Sequence, residues 1–178
     1  MKLPKILTIN NKKEEQFLRD KTVAFEFSDF TRKELKALVQ TMRLTMKKAN
    51  GVGLSANQIG LNSNMFVAEY DNKFYAIFNP TITQSSAETE TVEEGCLSIP
   101  GQYGPVARAR RITLVGQNIE KRKLKIRARG FLAKIFQHEI DHLNGILFID
   151  KATAIYKIPS ANRRETQSHQ SKIAADRP

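Results

Sequence analysis

The stretch GFLAKIFQHEIDHLNGILFID, residues 130–150, decides how this chain is read. Phe131, Leu132, Ile135, Phe136, Ile140 and Leu143 recur at three- and four-residue steps, the period of a helix that is mostly buried. Gly145 ends it, as a glycine just past the last turn commonly does. Two of the chain's three histidines, His138 and His142, lie in this helix four residues apart. That spacing stacks them on one face, where both imidazoles can reach a single point in space. Glu139 stands beside that point. The pattern is H-E-x-x-H, in which two histidines bind a metal and the carboxylate handles protons for a bound water. Burying such groups among apolar residues without partners would be costly, which favours a metal site.

Upstream of this helix the chain reads mainly as β. NMFVAEY and KFYAIFN flank a turn at Asp71-Asn72, and TITQSSAETETVEEG continues as a polar strand or loop. RRITLVG and KLKIRARG, separated by the polar QNIEKRK, form a hairpin. Before the strands, Thr31 and Glu34 make a capping box, followed by an amphipathic stripe of Leu35, Leu38, Val39, Met42 and Met46 closed by Asn50-Gly51. The first 28 residues read as irregular or strand-like, with VAFEF at 23–27 alternating weakly. Helix, meander, helix is an α+β order: mixed or antiparallel sheets packed around a central helix that carries the H-E-x-x-H motif.

The length of 178 residues suits one core rather than two. Residues 1–155 are expected to form the catalytic domain, and the polar stretch 156–178, which includes His169, a weakly ordered tail. No apolar run approaches the ~20 residues that cross a bilayer, and the N-terminal apolar run is too short for a secretory signal. A cytoplasmic protein without a membrane partner is the expectation. The formal charge of +11 favours polyanions such as RNA, although no signature with interleaved aromatics accompanies it. The single cysteine, Cys96, excludes an intrachain disulfide.

Two further stretches bear on the metal. GVGLSANQIG, residues 51–60, sets three glycines around small residues and ends near Gln58, so a ligand can lie close to its backbone. EEGCLSIPG, residues 93–101, holds Cys96, whose thiolate would complete a three-ligand site with the two histidines and leave one position for water.

In order, G-x-G-L-S-A-x-Q, E-G-C-L-S and Q-H-E-x-D-H make a set that resembles the peptide deformylase family. QFLRDKTV, GCLSIPG and HLNGILFID extend the likeness to roughly residues 3–150. The resemblance implies an α+β fold and removal of the formyl group from the N-terminal formyl-methionine of new polypeptides. It implies that Cys96, His138 and His142 hold one divalent metal, typically Fe(II), with zinc, nickel or cobalt able to substitute. Glu139 would be the general base and acid. Gln58 and the Leu97 N–H would stabilise the oxyanion, and the Gly53 backbone would lie against the substrate. Ile59, Leu97, Ile135 and Phe131 flank the motifs and are expected to wall a methionine-sized pocket. The implied partners are N-formyl-methionyl nascent peptides, with ribosome proximity through basic surface and no specific nucleic acid sequence.

Ser55 stands where many members have alanine, and Tyr103 where some bacterial members carry arginine. The longer basic C-terminal helix of some members is not recognisable here. Asp141 is expected to point away from the metal face and to pair with Arg108, because an unpaired buried carboxylate is expensive. Two other readings remain. A zinc endopeptidase would need a third ligand downstream, where only Asp150, Glu165, His169 and Asp176 are available. A non-catalytic, ribosome-associated protein would use the cysteine and histidines as a structural metal site.

Overall fold

Among the described residues every strand pairing is antiparallel, and the strands form two sheets. The computed structural model describes residues 2–157. In chain order these contain α1 (Lys12–Arg19), α2 (Arg32–Lys48), β1 (Gly53–Ser55), β2 (Met65–Tyr70), β3 (Lys73–Ser85), β4 (Thr89–Cys96), β5 (Ile99–Ala109), β6 (Arg111–Gln117), β7 (Lys123–Arg129), α3 (Gly130–Leu143) and β8 (Tyr156–Lys157). One sheet has the order β1-β2-β3-β6-β7 and the other β4-β5-β8. The α+β class is therefore as expected, with α3 packed on β1, β2, β5, β6 and β7.

Local chemistry accounts for the elements. Thr31 and Glu34 close the capping box, with the Glu34 N–H donating to Thr31 Oγ1 at 3.2 Å and the Thr31 N–H to Glu34 Oε2 at 2.8 Å. Asp71 and Asn72 both take positive φ, 51° and 57°, the conformation a two-residue hairpin loop demands, and Tyr70 faces Lys73 across it. Alternation then divides the sheet. Met65, Val67 and Phe78 face the core under α2, while Phe66, Ala68 and Ile77 face Ala133, Ile135 and Phe136 of α3.

Two expectations for the N-terminal region are corrected. Residues 12–19 form α1, because Asn11 accepts from the Lys13 and Glu14 N–H groups at 2.9 and 3.2 Å. Only Leu18 of that helix is buried, and its sequence holds just two apolar residues, Phe17 and Leu18, so there is no apolar repeat to read. The alternating VAFEF segment joins no sheet. Its Phe25 N–H donates to Asn79 Oδ1 at 2.7 Å and its carbonyl accepts from Asn79 Nδ2 at 3.1 Å, so a side-chain amide stands in for a neighbouring strand. Phe25 and Phe27 enter the core beside Phe78. At the other end, Tyr156 and Lys157, the first residues of the stretch read as a tail, pair as β8 with Tyr103 and Gln102. His169 and the remainder of that stretch lie outside the described residues.

Gly145 ends α3 with φ 73°, and a methyl group there would meet the Arg19 carbonyl oxygen at 2.1 Å. Gly145→Ala is expected to cost at least about 1–3 kcal/mol, since both strain and a backbone clash must be relieved. Equilibrium unfolding in urea measures it.

Candidate metal centre

The one sulfur and the two imidazoles selected from the sequence come together. Cys96 ends β4 at a register shift between Gly95 and Cys96, and α3 presents His138 and His142 to it. One ligand atom from each of Cys96, His138 and His142 lies within 4.8 Å of the others. Cys96 Sγ is 3.0 Å from His142 Nε2. His138 Nδ1 contacts Glu94 Oε2 at 2.8 Å, which fixes the ring and leaves its other nitrogen for the cluster. Burial alone would raise the Cys96 thiol, but His142 and His138 outweigh it and hold it down to about 5. Burial would lower His138, but Cys96 and Glu94 push it well up. One cysteine sulfur and two imidazoles converging where β4 ends against α3 form a soft donor set suited to a transition-metal cation.

Glu139 is buried next to this group, with burial raising its carboxyl pKa and the two histidines offsetting only part of that. Ser55, read from the sequence only as a small substitution, donates from Oγ to Glu139 Oε2 at 2.5 Å, with the Glu139 carbonyl oxygen 3.0 Å away. Nothing in the spacing signals that contact, since it joins residues 84 apart. Gly53 lies against the same carboxylate: a methyl group at Gly53 would sit 2.2 Å from Glu139 Oε1. Gly53→Ala is therefore expected to displace the carboxylate and reduce turnover by roughly 10²-fold or more while the chain stays folded. Kinetics alongside circular dichroism check it.

Gln58 is clamped through both ends of its amide. Oε1 accepts from the Ser55 N–H at 2.9 Å, and Nε2 donates to Ser98 Oγ at 3.1 Å while lying 3.6 Å from Cys96 Sγ. Leu97 follows the cysteine in the short turn before β5, and its side chain packs toward Gly51. The residues expected to wall a pocket divide between two places. Ile59 and Leu97 pack against the core under α2, whereas Ile135 is buried in the other core and Phe131 lies against Tyr70 at 5.4 Å between ring centroids. Tyr103 lies across Gly95, so its ring covers the strand just before the cysteine.

Behind the cluster runs a buried charge network. Arg108 donates through Nε and Nη2 to the two oxygens of Glu94, at 2.6 and 2.8 Å, and through Nη1 to Asp141. Asp141 therefore pairs with Arg108 as expected, and Lys151 Nζ adds a second cation at 2.7 Å. Burial alone would raise the Glu94 carboxyl, but Arg108 and His138 outweigh it and hold it down to about 2.

The family model described as polypeptide deformylase matches residues 4–157. The chain belongs to the polypeptide deformylase family. A peptide deformylase from Desulforudis audaxviator is 43% identical over 125 residues, covering 70% of this chain and 81% of the relative. One from Halothermothrix orenii is 45% identical over 130 residues, covering 72% and 83%. The crystal structure of the Thermotoga maritima peptide deformylase superposes with a TM-score of 0.78 at 33% identity, covering 86% of this chain and all of that one. A Synechococcus elongatus deformylase in complex with actinonin gives 0.77 at 31% identity, covering 85% and 79%. Deformylation, the hydrolysis of the formyl group from the N-terminal formyl-methionine of new polypeptides, is accordingly the activity of this metal-dependent hydrolase. The other two readings find no support. Cys96, the third member of the Cys-His-His group, lies upstream of α3, and Asp150 is engaged by Arg19 at 3.0 Å.

Proposed function

We propose that the Cys96, His138 and His142 cluster is the deformylation centre and that it holds one divalent cation, Fe(II) in the cell, with zinc, nickel or cobalt able to take its place. The observation that carries this reading is the convergence of one cysteine sulfur and two histidine rings beside a buried carboxyl group. When bound, the cation supplies a Lewis acid that lowers the pKa of water toward 7 and makes a nucleophile available at neutral pH.

The chain's own residues do the rest. Glu139, with a raised pKa, accepts a proton from the attacking water and returns it to the leaving amine. Ser55 and the Gly53 backbone keep that carboxylate in place. In this reading the Gln58 amide, held by Ser55 and Ser98, and the Leu97 N–H are the donors that stabilise the oxygen on which negative charge develops as the formyl carbon becomes tetrahedral. Glu94 holds the His138 ring, and Arg108 holds Glu94.

The substrates in this reading are N-formyl-methionyl nascent peptides, met in the cytoplasm close to the ribosome. The catalytic unit is residues 1–155 and the tail 156–178, with β8 at their boundary. Among the described residues no helix is long and apolar enough to cross a membrane. Ile59 and Leu97 from one core, with Ile135 and Phe131 from the other, wall the space for the first side chain. Amine release from formyl-Met-Ala-Ser by protein loaded with Fe(II) or Ni(II) without oxygen tests the activity. A formyl-Gly peptide should be cleaved roughly 10-fold or more less efficiently. Equal efficiency for the two would remove the pocket, and no release from either would remove the centre.

A further inference from the structure

Strand β7 is an edge of the larger sheet, and with the turn before it the chain reads KRKLKIRAR over residues 121–129. Six of those nine residues are basic and none is acidic. Leu124, Ile126 and Ala128 face the α3 side, so Lys123, Lys125, Arg127 and Arg129 all project from the opposite face, and all four are exposed. Strand geometry repeats these charges about every 6.6 Å along one line.

Several surface cations elsewhere on the molecule find acids. Lys5 meets Glu14, Arg43 and Lys47 meet Glu69, and Arg110 and Arg111 meet Glu88. Among the described residues no ion pair forms to Lys123, Lys125, Arg127 or Arg129. The register adds to the imbalance, since Arg129 faces Arg111 across the β6–β7 pair, and like charges directly opposite repel. Charged side chains on an edge strand also discourage unwanted strand pairing. That purpose is met by a few charges of either sign, whereas this line is long, regular and of one sign.

We propose that the outward face of β7 is a docking surface for the phosphodiester backbone of RNA. A line of cations at even spacing can follow an extended single strand, neutralising successive phosphates without reading bases. An anionic membrane fits less well: the exposed large apolar side chains, Val23, Leu44, Val52, Leu61, Ile155 and Tyr156, all lie off this strand, so nothing on it would enter a bilayer. The surface deepens the reading of ribosome proximity given above and rests on it for its setting. The strand leads directly into α3, which carries the two histidines, so an RNA contact there would tether the catalytic helix beside it.

The test uses the full chain and a short oligouridylate, with the salt dependence of binding measured for three proteins. Lys123→Gln/Lys125→Gln/Arg127→Gln removes three charges from the strand, and Lys13→Gln/Lys33→Gln/Lys36→Gln removes three from exposed positions on the two N-terminal helices. At about 0.7 per phosphate contact, the strand variant should lose roughly 2 from the salt slope and bind about 100-fold more weakly at roughly 0.1 M salt. The helix variant should stay close to the parent. Equal loss in both variants would reduce the effect to net charge and overturn the proposal. So would an unchanged strand variant, or capture by phosphatidylglycerol vesicles in preference to RNA. Arg127→Gln alone, expected to lower the slope by about 0.7, serves if the triple variant does not fold. Turnover of formyl-Met-Ala-Ser is measured alongside and should be the same in all variants. Absent turnover in the parent would count against the deformylation centre and leave the RNA result standing separately.

Discussion

Replacing Glu139 by alanine is expected to lower turnover of a formyl-Met peptide by roughly 10²–10⁴-fold while the metal content stays near one per chain. The carboxylate is buried beside the cluster but is not one of its three converging donors, so the cation site should survive its removal. What is lost is the acid that Ser55 and Gly53 hold against the cluster. Metal analysis and amine release on the same preparation separate the two effects. Loss of metal together with activity would make Glu139 part of the metal site, and retained activity would move the proton transfer elsewhere. Glu139→Gln keeps the shape and the hydrogen bond from Ser55, so an equally inactive glutamine variant would identify the proton rather than the packing as the missing element.

The second large effect is on stability. Arg108→Met would leave Glu94 and Asp141 buried without the guanidinium that joins them, and breaking a buried ion pair by removing one partner typically costs about 3–5 kcal/mol. For a chain of this size that corresponds to a fall in Tm of roughly 6–20 °C. Lys151 still neutralises part of Asp141, so the burden falls mainly on Glu94 and, through it, on the His138 ring. Reduced metal affinity should accompany the lower Tm. A double-mutant cycle of Arg108→Gln with Asp141→Asn isolates the direct pair, with a coupling of about 0.5–3 kcal/mol expected. Zero coupling would mean that Lys151 carries Asp141 alone.

By itself the sequence determined the features whose physics is local or periodic. The apolar stripe of residues 131–143 specifies a buried helix, and a four-residue step on that helix stacks His138 and His142 whatever surrounds them. Turn residues and alternation specified the β2–β3 and β6–β7 hairpins in the same way. The pairing of Asp141 with Arg108 followed from the cost of an unpaired buried carboxylate. Only the tertiary structure decided what depends on contacts between distant residues. Asn79 binds the backbone of Phe25 and so keeps VAFEF out of the sheets, although its alternation looks like a strand. The split into two sheets rests on β4 and β5 pairing with each other, and Cys96 reaches the histidines because β4 ends where α3 passes. The hydroxyl of Ser55 meets Glu139 across 84 residues, and Ile135 is buried in a core that Leu97 does not share. Hydrophobic periodicity gives a residue its face. It does not give the partner on the other side, because that partner is chosen by how the sheets and helices close around a common core.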